Sequence, residues 1–224
     1  MGTRQVMLVV LLACVALTVV DGARTLPESV LQLFGVSDKE SDSCGPQVSI
    51  ETPQCSVVEK RDTYELRDYN VKEIWVETLV PNSTFEMASF TGFYRCFNFI
   101  SGKNSKNMKI EMTGPVHIKP TPDANGYKVA FFVPSRFKSV NDLPTPSDPK
   151  VHFYEPEKAV TAVIGPFGGF PTNKDYEAKF EELKKALDKD GLKYNESTVT
   201  YAGYSSPFQF KNRKQEVHVD LVSY

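Results

Sequence analysis

The sequence predicts an α+β, barrel-like domain built from two similar halves. Two observations predict it. The order strand-strand-helix-strand-strand is readable twice, over residues 64–134 and again over residues 151–222. Matching points also keep a near-constant offset: Thr84 and Asn173, near the two helix starts, lie 89 apart, and Tyr127 and Val217, which open the last strands, lie 90 apart. Each half carries one helix, enough to cover one face of a sheet. Each half is small and the linker between them is short, so the two are expected to pack their sheets together rather than to form separate domains. Residue identity between the halves is slight.

The elements follow in order. Tyr64–Tyr69 alternates and reads as a strand. Val71–Val80 is a second, with Ile74, Trp75 and Val76 supplying strand propensity. Ser83 with Glu86 three residues on reads as a capping box, and Phe85, Phe90, Phe93, Phe97 and Ile100 repeat at helical spacing until Gly102. Lys109–Lys119 and Tyr127–Pro134 are strands joined by a turn at Asp123, Asn125 and Gly126. A proline-rich connection over 141–149 follows. Val151–Tyr154 and Lys158–Ile164 are strands again. Thr172 with Asp175 caps a second helix whose apolar stripe is Tyr176, Phe180, Leu183 and Leu187, and Gly191 ends it. Thr198–Tyr204 and Glu216–Val222 close the domain.

The first residues read as a secretion signal. A cationic start at Arg4 precedes the run Val6–Val20, 15 residues interrupted only by Thr18. A bilayer span needs about 20 apolar residues, so this run fits a signal core over residues 1–22 better than an anchor. Val20 and Gly22 place the cut after Gly22; a cut after Ala23 is the alternative. Residues 23–55 read as a polar leader, with a small apolar patch at Val30, Leu31, Leu33 and Phe34, and the domain as residues 56–224. An extracellular, soluble location follows as an expectation. It permits disulfides. Cys14 leaves with the signal, Cys44 and Cys55 flank a loop-like stretch and are the expected pair, and Cys96 reads as a buried thiol. Asn82-Ser83-Thr84 and Asn195-Glu196-Ser197 carry the N-glycosylation pattern.

Net charge is −2, which gives no basic field for nucleic acid. Gly-x-Ser-x-Gly, His-Glu-x-x-His, Walker and Cys-x-x-Cys motifs are absent, so no enzyme is expected. Gly165–Gly169 lacks the lysine of a phosphate loop and reads as a strand-to-helix turn. His117, His152 and His218 fall on three separate strands without metal-ligand spacing, and read as structural or solvent-facing. Met108 and Met112 read as core. The aromatic load is high, with 15 Phe and 10 Tyr. Part of it is core, and part suits a pocket for a flat apolar ligand.

Several collinear stretches carry a resemblance. Tyr64-Glu65-Leu66-Arg67-Asp68-Tyr69, Phe99–Asn104, Lys109–Val116, Phe131–Pro134, Phe167–Phe170, Tyr201–Pro207 and Asn212–Val217 are similar to the SOUL/heme-binding protein family, closer to its heme-binding protein 2 branch. The resemblance covers residues 56–222. It implies a distorted antiparallel β-barrel of two repeated halves with two flanking helices. It also implies reversible, non-covalent binding of heme or a related tetrapyrrole. The branch has a proposed heme-ligand histidine just before the second tyrosine of the first stretch; here that position is Asp68. The implied contacts are therefore Arg67, Asp68 and Tyr69, with the Tyr69 phenol the candidate for iron. Intracellular members are linked to death-pathway partners through a stretch matching Leu183–Gly191, a role that secretion disfavours. An extracellular receptor or matrix partner is the competing class of reading.

Overall fold

The computed structural model describes residues 44–69, 72–205 and 209–224. The signal segment, Cys14, the leader as far as residue 43 with its apolar patch, and Ser206 and Pro207 of the sixth motif lie outside the described residues. The described chain forms nine strands: β1 (Ser56–Lys60), β2 (Glu65–Asp68), β3 (Trp75–Val80), β4 (Val116–Thr121), β5 (Gly126–Phe132), β6 (Val151–Tyr154), β7 (Val160–Phe167), β8 (Thr200–Gly203) and β9 (Gln215–Asp220). Two helices join them, α1 (Phe85–Ile100) and α2 (Asn173–Lys189).

All nine strands belong to one sheet in the order β1-β2-β7-β9-β8-β4-β5-β3-β6, and each ladder is antiparallel. The α+β class is as expected, but the closed barrel is not: β1 and β6 are free ends, and no ladder among the described residues joins them. β1, unread in the sequence because Val57 and Val58 are both exposed and break the alternation, extends the sheet beyond β2.

Directly paired residues share a face of a sheet. One row runs Ile118–Tyr201–Val217–Ile164 across β4, β8, β9 and β7, and a parallel row joins Val76, Phe131 and Val116. Both rows are apolar, and both helices cover this face. α2 buries Tyr176, Phe180, Leu183 and Leu187 against Ala162, Val217 and Val219, as its stripe predicts. With Leu183 and Leu187 fully buried, the Leu183–Gly191 stretch offers no apolar face to a partner.

α1 departs from its expected stripe. Its buried face is Phe85, Ala88, Gly92, Cys96, Phe99 and Ile100, while Phe90 and Phe97 are exposed. The small residues let the helix lie close on β5, where a side chain at Gly92 would overlap Val129. Met87, Phe90, Tyr94 and Phe97 lie on the outer face. Its cap also moves one residue, to Thr84, whose hydroxyl accepts from Met87 N at 3.4 Å. Asn82 turns the chain at φ 49° just before it. At α2 the expected pair holds: Thr172 N donates to Asp175 Oδ2 at 2.7 Å. The expected strand over 109–119 begins only at Val116, since Pro115 brings no N–H to a ladder.

Cys44 and Cys55 form a disulfide with Cα atoms 5.4 Å apart. Residues 44–55 are tied to the sheet domain as well, since Gly114 N donates to Glu51 O at 2.8 Å and Ser135 N to Glu51 Oε1 at 2.8 Å. Cys96 is a buried free thiol, as read. Burial pushes its pKa up to about 12.

Candidate functional site

The helix-free face of the sheet carries a different sequence. The row Glu77–Ala130–His117–Ala202–Glu216 crosses five strands, and Trp75–Phe132 and Thr200–His218 lie beside it. This face borders a cavity of about 330 Å³, walled by Tyr69, Trp75, His117, Tyr154, Tyr204 and His218, with Lys72, Lys119 and Lys158 among its lining residues. That volume lies at the lower end for small-molecule sites, which run about 300–1,000 Å³.

Beneath the wall is a buried charge network. Arg67 donates to both oxygens of Glu216, at 2.9 Å each, and also to Glu65. Tyr204 Oη donates to Glu216 Oε2 at 2.8 Å, and His218 Nε2 lies 2.9 Å from the same oxygen. Burial pushes the Glu216 carboxyl up, but His218 and Arg67 outweigh it and hold the pKa at about 2. The network fixes β2 against β9 and orients Tyr204 and His218 at the cavity.

The wall itself is less fully paired. Trp75 Nε1 donates to Glu73 Oε2 at 2.8 Å, while Glu73 Oε1 is buried without a hydrogen-bond partner. Burial pushes this carboxyl up to about 7, against the Trp75 hydrogen bond. The His117 ring stacks on the Trp75 indole, with centroids 4.1 Å apart and planes at 16°, and meets His218 edge-on at 5.6 Å. His117 Nε2 is buried and has no hydrogen-bond partner. Burial, reinforced by His218, holds its pKa well below 6.5, so the ring is neutral at pH 7.

The three residues expected to contact ligand are separated by the fold. Tyr69 lines the cavity, and burial drives its phenol pKa above the usual value. Arg67 is spent on Glu216 and does not line it. Asp68 lies outside the lining too, with Oδ2 3.5 Å from Lys158 Nζ. His152, half-exposed, bonds Glu77 at 2.9 Å. Among the described residues no group of three or more His, Cys, Asp or Glu is placed to hold a metal ion, and no helix is long and apolar enough to cross a membrane. Asn82 and Asn195 are both exposed.

Sequence reasoning missed Glu73, Trp75, His117, Glu216 and His218. A signal existed. Glu216-x-His218-x-Asp220 and His117-x-Lys119 place polar groups at period two, opposite an apolar row, which in a buried strand marks a lined interior rather than solvent.

Residues 50–220 match the family model described as SOUL heme-binding protein. Heme-binding protein 2 of Mus musculus is 31% identical over 189 residues, covering 82% of this chain and 90% of that protein. Its Homo sapiens counterpart is 31% identical over 178 residues, covering 75% and 85%. Heme-binding protein 1 of Xenopus laevis is 29% identical over 159 residues, covering 69% and 81%. The chain belongs to the SOUL heme-binding protein family, on the heme-binding protein 2 branch.

Proposed function

We propose that this protein binds heme or a related tetrapyrrole reversibly and non-covalently, and acts outside the cell as a carrier or scavenger. The observation that carries the reading is the His117–Trp75 stack on the wall of the cavity, in a chain of this family. The residues present fit such a ligand. Tyr69, Trp75 and Tyr154 put aromatic side chains on the lining, and Lys72, Lys119 and Lys158 offer cations to its carboxylates. Tyr69, His117 and His218 are the lining residues of metal-ligating type. Bound iron would supply a coordination bond, and the lining aromatic and lysine side chains would hold the ring. Hemin titration of the purified, oxidised protein, followed at the Soret band, tests the reading. A saturable shift at micromolar protein supports it, and no shift defeats it.

The extracellular role is supported by the Val6–Val20 run, by the Cys44–Cys55 disulfide and by exposed sequons at Asn82 and Asn195. The strand order supports duplication of the two halves. Exchanging β2–β5 for β6–β9 turns the order β2-β7-β9-β8-β4-β5-β3-β6 into its own reverse.

A second reading has its own observation. Met87, Phe90, Tyr94 and Phe97 make an exposed apolar stripe on the outer face of α1, exposed by 60, 67, 55 and 41%. Large exposed apolar patches mark interaction sites. It favours an extracellular protein-interaction module that has lost heme binding. Recovery of a specific partner from extracellular fluid, lost on Phe90→Ser with Tyr94→Ser, together with a flat hemin titration, would select it.

A further inference from the structure

The segment closed by the disulfide is part of the cavity wall. Cys44, Thr52 and Pro53 are among the lining residues. Gly45, at φ 104°, turns the chain onto the buried charge network: a Cβ there would stand 3.5 Å from Arg67 Nη1 and 3.7 Å from Tyr204 Oη. That φ favours glycine. A Cβ at Gly114 would meet Ile50 at 3.1 Å and Tyr204 at 3.8 Å, so Ile50 and Tyr204 pack at the same spot. Residues 44–55 therefore lie against Tyr204, itself a wall residue.

The two arms of this segment are held differently. Thr52 and Pro53 lie between anchors that do not need the disulfide. On one side Glu51 O accepts from Gly114 N and Glu51 Oε1 from Ser135 N, each at 2.8 Å; on the other Ser56 opens β1, which pairs with β2. The arm over 44–47 is held by the Cys44–Cys55 bond, by a long hydrogen bond of 3.4 Å from Cys44 N to Cys55 O, and by an exposed one of 2.6 Å from Lys214 Nζ to Gln47 O. The disulfide is the covalent tie that keeps Cys44 in the wall.

Resting on the reading of the cavity as a tetrapyrrole site, we infer that the Cys44–Cys55 bond is a redox latch on that site. With the bond closed, the 44–47 arm completes the wall and retains the ligand. Reduction frees the arm, and release speeds up. A dithiol supplies the step: it gives two electrons and two protons to the Cys44–Cys55 bond, which becomes two thiols, and is itself oxidised to a disulfide. Cys55 is buried and Cys44 half-buried, so the attack falls on the Cys44 sulfur. Cys55 then stays at the start of β1, while Cys44 leaves the lining and Gly45 uncovers Tyr204.

Iron-free protoporphyrin is the probe, because it offers a freed thiol no metal to bind. Its release from the full mature chain is followed by porphyrin fluorescence on dilution. Cys44→Ser with Cys55→Ser is expected to release it about tenfold faster than oxidised wild type, with association changed less. The wild-type complex is expected to switch to the fast rate when a dithiol is added. Gly92→Ala, whose added methyl overlaps Val129 on the helix side of the sheet, controls for lost stability and is expected to keep the slow rate. The inference is overturned if the double-serine protein and the reduced complex release porphyrin at the oxidised rate, or if Gly92→Ala speeds release as much as they do. The reduced complex decides if the double-serine protein does not fold, since it is formed before the bond is cut. The underlying reading fails differently: the oxidised wild type then binds no protoporphyrin.

Discussion

Arg67 on β2 and Glu216 on β9 meet through two hydrogen bonds of 2.9 Å each, reaching across β7, which lies between their strands. Both side chains are almost wholly buried, at 3 and 0% exposure. A charge buried that deeply is tolerated only with its partner in place.

Removing one partner should therefore be severe. Arg67→Met leaves the Glu216 carboxylate buried without its guanidinium and is expected to lower stability by about 3–5 kcal/mol. Arg67→Met with Glu216→Leu should recover much of the loss, because no charge is stranded. Urea unfolding of the three proteins gives both numbers.

Glu216 also sets an acid limit. Its folded pKa of about 2 lies below the ordinary value of 4.5, so it contributes stability that is present above pH 4.5 and lost as pH falls toward 2. The contribution is about 3 kcal/mol at most. Glu216→Gln should flatten the fall in unfolding free energy between pH 4.5 and 2.5.

Glu73 works in the opposite sense. Its folded pKa of about 7 lies above 4.5, so the folded state holds a proton that the unfolded state has released. Stability therefore falls as pH rises from 4.5 to 7, by up to about 3 kcal/mol. Glu73→Gln keeps an acceptor for Trp75 and cannot ionise. It should gain on wild type at pH 8 and not at pH 4.5, as measured by urea unfolding at the two pH values.

At Gly92 the expected sign contradicts helix propensity. Glycine to alanine in an exposed helix gains about 1 kcal/mol. Here the added methyl meets Val129 on β5, so Gly92→Ala should lose about 1–3 kcal/mol through overpacking. A fall in Tm against wild type checks it.

The Cys44–Cys55 bond closes a separation of 11 residues. Chain entropy for a loop of that size makes it worth about 2–3 kcal/mol. Cys44→Ser with Cys55→Ser should show that loss in urea unfolding, and wild type under reductant should match it.

The elements were largely legible in the sequence because period-two and helical patterns survive wherever one side is apolar. α2 was legible to the residue, since its stripe is the buried face. α1 was not, because the residues that let it approach β5 are Ala88, Gly92 and Cys96, and bulk misleads when closeness is what packs. The site was the least legible part. Arg67 and Tyr69 were named, but which of them reaches the cavity depends on a side-chain contact between β2 and β9 that a sequence separation of 149 conceals. His117 looked ordinary because its distinction is an unmade hydrogen bond, which no sequence displays.

Trp75 is the chain's single tryptophan, so its indole N–H gives one resonance, reporting from the cavity wall. Zinc protoporphyrin is diamagnetic, and its ring current acts only at short range. Titrating the mature protein with it, while following the Soret band and the Trp75 indole signal together, tests binding in this cavity most directly. The expected result is an indole shift that saturates with the Soret change. A Soret change that saturates while the Trp75 signal stays fixed, or no Soret change at all, would contradict it.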